Sequence, residues 1–287
     1  MTADLATATD VAADLSAYVA GDTAAAAVEL TGKLAADGIA GNLGYLAPEA
    51  HDADMARAAA REYRQLAAAL ADTPPGTRIE VDLPHIGLDL GPSFCLAQLA
   101  AISACLPSGR LMQTGAEETH RTNAVLHTVL QARAAGLPLR ASVQANLRRS
   151  VADVSRLTAA GVPLRVVKGA FAEPLAVAWP FGEPTDIALV RLAGTVLRAG
   201  TGLSIGTHDQ VIQQALAETE IEMLLGSRPD VTRSLAAEGR QVRLYVPYGP
   251  DHGAYVRARV NEARRHRTPA PRWNPHPVPP SRGACTY

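Results

Sequence analysis

Aromatic residues make up only 4% of this 287-residue chain, and its three cysteines, Cys95, Cys105 and Cys285, show no CxxC spacing. A disulfide framework and a zinc site are therefore not expected, and Cys95 and Cys105, set among apolar neighbours, read as small core fillers. Charge of one sign is lacking as well. The 27 Lys and Arg against 28 Asp and Glu leave a formal net charge of −1, which gives nucleic acid or an anionic membrane little to hold. No apolar run is long enough to cross a bilayer. The acidic start MTADLATATD lacks the basic and apolar parts of a signal peptide, so a cytoplasmic protein is expected. GxGxxG is missing from the first strand–helix turn, as are a serine elbow, a His-x-His ligand pair and carboxylates at matched positions. Those gaps speak against a dinucleotide-binding sheet, a serine hydrolase, a metal hydrolase and a glycosidase.

What the chain does contain is a repeated alternation. Residues 4–37 are alanine-rich with Leu and Val at helical spacing, broken at Gly21-Asp22. Strand-like runs then begin near residues 39, 78, 110, 139, 164, 202, 220 and 242. Each is followed by a helical stretch, the last of these spanning residues 252–265. Asp209 and Asp230 read as helix caps. Eight strand–helix units over residues 38–267 predict an α/β fold: a (βα)8 barrel of the TIM type with N-terminal helices over residues 1–37. Residues 268–287 carry Pro269, Pro271, Pro275, Pro277, Pro279 and Pro280 and form an extended proline-rich tail, with Trp273 as an anchor.

Chemistry in such a barrel sits at the carboxyl ends of the strands. Those ends offer Asp82 and His85, Gln144 and Asn146, Arg165 and Lys168, Thr207 and His208, Glu222, and Tyr245 and Tyr248, with Arg257 and Arg259 following. The most informative run is PLRVVKGAF, residues 163–171, where Arg165 interrupts an apolar strand and Lys168 closes it. An unpaired charge there would be costly, so Arg165 is either ion-paired in the core or turned toward an anionic or electron-rich ligand. A donor-rich rim of Gln144, Arg165, Lys168, His208 and Arg259 suits a phosphate-bearing or electron-accepting ligand.

Seven stretches follow one another in a specific order: Tyr18-Val-Ala-Gly-Asp-Thr23, Gly38-Ile-Ala, Gln144-Ala-Asn-Leu-Arg-Arg149, Arg165-Val-Val-Lys-Gly-Ala170, Gly206-Thr-His-Asp209, Glu222-Met-Leu-Leu-Gly-Ser-Arg-Pro229 and Tyr245-Val-Pro-Tyr-Gly249. In this order the chain resembles the flavin-dependent proline dehydrogenases from about Tyr18 to Arg264. The resemblance implies a distorted (βα)8 barrel holding FAD noncovalently. It also implies hydride transfer from the carbon beside an amine nitrogen to flavin N5, leaving an imine. On the same ground Gln144 should hydrogen-bond the isoalloxazine and Arg165 should lie beside N5 as a catalytic cation. Lys168, Gly169, Ala170, Thr207, His208 and Glu262 should contact the cofactor. Tyr245 should pack on the substrate and Arg259 should hold an anionic group.

The chain departs from the pattern on the substrate side. Asp82 stands where the family has a lysine for the substrate carboxylate, and Gly115 where it has an active-site aspartate, with Glu117 or Glu118 able to compensate. Ala258-Arg259 replaces an arginine pair, and Phe171 a tyrosine. Charge-assisted hydrogen bonds contribute about 1.5–3 kcal/mol each, so losing two weakens recognition of an acid group considerably. Asp82, Phe171, Tyr245, Ala258 and Arg259 are thus the expected substrate contacts, with Asp82 also a catalytic candidate. The expected activity is oxidation of a cyclic or secondary amine other than L-proline. A true L-proline dehydrogenase with a compensated pocket and a catalytically silent binding barrel are the alternatives. The reoxidant is left open among quinone, protein and oxygen. No histidine other than His208 is assigned a ligand, and no metal is expected.

Overall fold

The computed structural model describes residues 17–259, apart from residues 170, 172 and 258. Helix α1 (Ala24–Ala36) precedes a closed parallel barrel whose eight strands are hydrogen-bonded in sequence order. In turn come β1 (Ile39–Tyr45), α2 (Ala53–Ala69), β2 (Arg78–Val81), α3 (Pro92–Ser103), β3 (Met112–Thr114), α4 (Thr122–Ala134) and β4 (Leu139–Gln144). The second half runs through α5 (Ser150–Ala159), β5 (Leu164–Val167), α6 (Glu183–Ala199), β6 (Leu203–Gly206), α7 (Gln210–Ala215), β7 (Glu220–Leu224), α8 (Pro229–Ala237) and β8 (Val242–Tyr248). β8 pairs with β1 from Ile39↔Val242 to Tyr45↔Tyr248 and closes the ring. None of the described helices is long and apolar enough to cross a membrane. Residues 1–16, the end of the last helix and the proline-rich segment with Trp273 lie outside the described residues.

Helix starts follow local chemistry. Thr23 Oγ1 accepts from Ala26 N, Asp52 Oδ1 from Asp54 N and Met55 N, and Asp209 Oδ1 from Val211 N and Ile212 N, each satisfying amides the helix cannot. Asp230 is not the cap expected from the sequence. It lies inside the first turn of α8 because Pro229, which needs no partner for a missing N–H, already begins the helix.

The strands alternate apolar and polar with period two, so one face packs under the helices and the other fills the barrel. Ile79, Val81, Leu164, Val166, Ile205, Ile221, Val242 and Leu244 form the buried outer face, all at or below 5% exposure. The inner face is ionic. Arg165 donates to Ser142 Oγ (2.9 Å), to both oxygens of Glu80 (2.8 and 2.7 Å) and to Glu222 Oε1. Asn42 and Gln113 each donate to both carboxylates, at 2.6–3.0 Å. One layer nearer the strands' amino ends, Glu220 accepts from Arg78 (2.7 Å) and Arg243 (2.8 Å), and Arg140 donates to Ser204 Oγ (2.7 Å).

Arg165 is ion-paired with Glu80 and Glu222 in the barrel interior. The guanidinium is held protonated: burial works against the charge, but Glu222 and Glu80 outweigh it. Burial raises the Glu80 pKa despite Arg165, whereas for Glu222 the pull of Arg165 and Arg243 overcomes burial. Removing Arg165 strands two buried carboxylates. Arg165→Ala is expected to lose about 3–5 kcal/mol of stability in urea unfolding near neutral pH. A wild-type midpoint would show that the network adds nothing net.

Candidate active site

The carboxyl ends of the strands carry loops that one arginine ties together. Arg121 donates to Glu49 (2.8 and 2.6 Å), Asp89 (3.2, 3.0 and 2.6 Å) and Glu118 (3.3 Å), joining the loops after β1, β2 and β3. Glu173, in the long loop after β5, accepts from Thr119 N at 2.7 Å and extends the tie across the mouth. Gln144 Nε2 donates to the carbonyl of Glu117 (2.9 Å), so the β3 loop is pinned over the end of β4. Glu117 and Gln144 line one recess with Ser142 and Leu147.

Asp82 points across to β3. A Cβ at Gly115 would overlap Asp82 Oδ1 and would lie 3.6 Å from Glu117 Oε1. The absence of a side chain at 115 is therefore what seats the Asp82 carboxylate, with Glu117 beside it. Burial lifts the Asp82 pKa from 3.8 to about 6 against the pull of Arg165. Burial, with Asp82 adding to it, lifts Glu117 to about 9. Tyr245, 7% exposed, lies over Gly44, where a Cβ would overlap its hydroxyl. Beneath Asp82, Tyr63 places its hydroxyl 3.0 Å from His85 Nδ1 and accepts from Asp82 N at 3.4 Å. Burial lowers His85 to about 4, which keeps it neutral near pH 7. It is a packing partner of Tyr63.

On the opposite side of the mouth lie the ends of β4, β5 and β6. Lys168 Nζ lies 2.6 Å from Asp186 and 2.9 Å from Asp209, two carboxylates that hold it at the rim. Gly169 has φ +145, a conformation side chains resist, and a Cβ there would overlap Asn146 Oδ1. That oxygen is buried and has no hydrogen-bond partner among the described residues. Thr207 is buried at 5% exposure and Oγ1 accepts from Asp209 N (3.1 Å), so its hydroxyl serves the α7 turn. His208 and Phe171 are partly exposed at the rim. Arg259 lies over the ring of Tyr255 (5.4 Å), which in turn meets Tyr245 edge-on at 6.2 Å. Ala170, Ala258 and Glu262 lie outside the described residues. Arg148 stacks on Trp179 at 3.8 Å and Arg149 pairs with Asp153 at 2.6 Å.

The topology places Asp82, Gln144, Lys168, Gly169, His208 and Tyr245 at or near the carboxyl ends of their strands, and Arg259 reaches Tyr245 through the ring of Tyr255. Sequence reasoning missed Glu80, Asn42 and Gln113. The polar alternation in Arg78-Ile-Glu-Val-Asp82 and Glu220-Ile-Glu222 was the available signal.

A closed (βα)8 barrel with a donor-rich rim on one side and buried carboxyls on the other defines a small-molecule enzyme of the barrel class. No family model matches the sequence. The chain is 31% identical over 257 residues to proline dehydrogenase 1 of Bacillus subtilis (strain 168), covering 85% of each. It is 36% identical over 135 residues to proline dehydrogenase of Deinococcus radiodurans, covering 43% of this chain and 44% of that one. Its fold matches proline utilization A (PutA) from Bdellovibrio bacteriovorus, solved after inactivation by N-propargylglycine. The TM-score is 0.79 at 16% identity, covering 89% of this chain and 33% of that one. This chain belongs to the proline dehydrogenase family, whose members are flavin-dependent oxidoreductases acting on CH–NH donors.

The residues at the ends of β4–β6 fit a flavin in their chemistry. They offer side-chain donors, a glycine that lets a planar group approach the backbone, and a buried amide oxygen without a partner. Gly169→Ala is expected to cost about 1–3 kcal/mol through backbone strain and to weaken cofactor retention. Urea unfolding and the flavin absorbance remaining after gel filtration measure the two; no change in either would mean the position tolerates a side chain.

Proposed function

We propose that this chain is a flavin-dependent dehydrogenase that oxidises a cyclic or secondary amine of the proline type to the imine, and that its flavin is FAD. Bound flavin would supply the hydride acceptor. Gln144, Lys168, Gly169 and His208 would hold it from the β4–β6 side, with Thr207 shaping the turn behind them. Support for FAD comes from Lys168 and His208, a cation and an imidazole beside the ends of β5 and β6 that suit a pyrophosphate.

One observation carries the substrate reading. The group facing the mouth from β2 is an aspartate, held in place by Gly115, where an acid-binding cation would be needed for L-proline. A buried carboxylate attracts an ammonium and repels a second carboxylate. Tyr245 offers a ring for a saturated heterocycle to pack on, and the tied loops of Arg121 limit water. Oxidation of L-proline itself is the second reading, favoured by the identity to proline dehydrogenases of other bacteria and by Arg259, which stands near Tyr245 and Tyr255.

The test is an anaerobic screen. The purified protein should be yellow and should release FAD on heating. It should lose flavin absorbance with pyrrolidine or proline methyl ester at lower concentration than with L-proline. Bleaching by L-proline at the lowest concentration would favour the second reading. A colourless protein that gains no colour from added FAD or FMN would overturn both.

A further inference from the structure

Resting on the amine reading above, we propose that Asp82 and Glu117 form a proton-sharing carboxyl pair in the space left open by Gly115, and that this pair receives the substrate ammonium and removes its proton. The two groups come from different strands. Asp82 follows β2 and Glu117 follows β3, yet Oδ1 of the first occupies the Cβ position at Gly115 and Oε1 of the second is 3.6 Å from it. Both side chains are partly exposed, so a group entering the mouth can reach them. Two carboxyls this close together and open to the mouth suit a ligand that brings a positive charge and an N–H donor.

A third group points the same way. Tyr245 is 7% exposed and its hydroxyl lies over Gly44. Asp82 and Glu80 help burial push its pKa well above 10.0, which keeps it a neutral donor and acceptor facing the pair.

The charges around the pair set its protonation. Asp82 faces Arg165 and Glu80 from the interior, Tyr63 from α2, Tyr245 from β8 and Glu117 from the β3 loop. Glu117 faces Asp82, Arg121, Glu118 and Glu49. Burial raises both carboxyls, Glu117 further than Asp82, so the pair shares one proton near pH 7 and keeps one oxygen free to accept. A secondary ammonium donates into Asp82. Its N–H bond breaks, an O–H bond forms on Asp82, and the electron pair stays on nitrogen. That lone pair would become the nitrogen–carbon π bond as the neighbouring carbon loses its hydride, for which bound flavin would supply the acceptor; the product is the protonated imine, which gives its remaining N–H proton to solvent. One carboxylate has thus replaced another: the anion is presented from β2 because β3 ends in glycine.

The sign of the pH dependence follows. Both carboxyls have folded pKa values above their ordinary ones. Their contribution to stability is therefore present below about 4 and declines as pH rises through about 6 for Asp82 and about 9 for Glu117. Asp82→Asn should then melt higher than wild type above pH 6 or so while losing function, the mark of a charge kept for chemistry.

The experiment compares the holoenzyme with Asp82→Asn, Glu117→Gln and the exchange Asp82→Gly with Gly115→Asp. Flavin reduction by pyrrolidine should rise as pH passes about 6. Asp82→Asn should remove that limb and slow reduction by about 100-fold or more, and the exchange should recover most of the loss. A second measurement needs no turnover. The infrared band of a protonated carboxyl near neutral pH should lose intensity in Glu117→Gln, and in wild type it should shift on adding pyrrolidinium, because the cation enters beside the shared proton. Reduction of Asp82→Asn at the wild-type rate with the same pH profile, or a carboxyl band indifferent to pyrrolidinium and to Glu117→Gln, overturns the pair. If the wild type binds flavin and shows the band changes but no amine reduces it, the amine-oxidation reading fails and the pair stands as a cation site.

Discussion

A guanidinium clasped by two carboxylates in the middle of the barrel is the constraint on which the rest depends. Arg165 alone between Glu80 and Glu222 leaves an excess negative charge, and Arg78, Arg140 and Arg243 around Glu220 leave an excess positive one a layer below. Neither layer is neutral by itself, so each stabilises the other across one pleat. That accounts for an arginine such as Arg243 staying charged at 3% exposure. Asn42, Gln113 and Ser142 then take up the remaining lone pairs and N–H groups. Strand register and charge balance are the same requirement here. Slipping one strand by one residue would turn its charged side chain under a helix.

The mouth inherits its electrostatics from that floor. Arg165 keeps Asp82 from rising further than it does, while Glu80 is pushed up in part by Asp82. Two glycines then decide what stands in the opening: Gly44 admits the ring of Tyr245, and Gly115 admits the carboxylate of Asp82. On the other side Asp186 and Asp209 steady Lys168. One side of the mouth is a rim of donors and the other a pair of carboxyls, so its two halves have opposite chemical tastes.

Much of this was readable along the chain. The period of strand and helix predicts the barrel because a parallel strand needs a crossover, and the structure closes it in sequence order. Lys168, Gly169 and Gln144 stand at strand ends because the turns that follow leave no other place for them. The pairing of Arg165 was not readable. Glu80 and Glu222 are 142 positions apart, and only closure of the ring brings both within reach of one side chain. Glu117 was visible only as an alternative to Glu118. Which of the two turns inward is settled by Arg121, which draws Glu118 outward at 3.3 Å.

The sequence by itself determined the architecture, the family and the residue types at each strand end, since these follow from periodicity, turn chemistry and motif order, all properties of neighbours along the chain. Only the tertiary structure decided which charges meet: that Arg165 is satisfied by carboxylates, that Asp82 fills the place of a side chain missing from another strand, and that Glu117 joins it. The reason is physical. A buried charge takes its energy from groups a few ångströms away in space, and in a closed barrel those groups come from strands far apart in the chain.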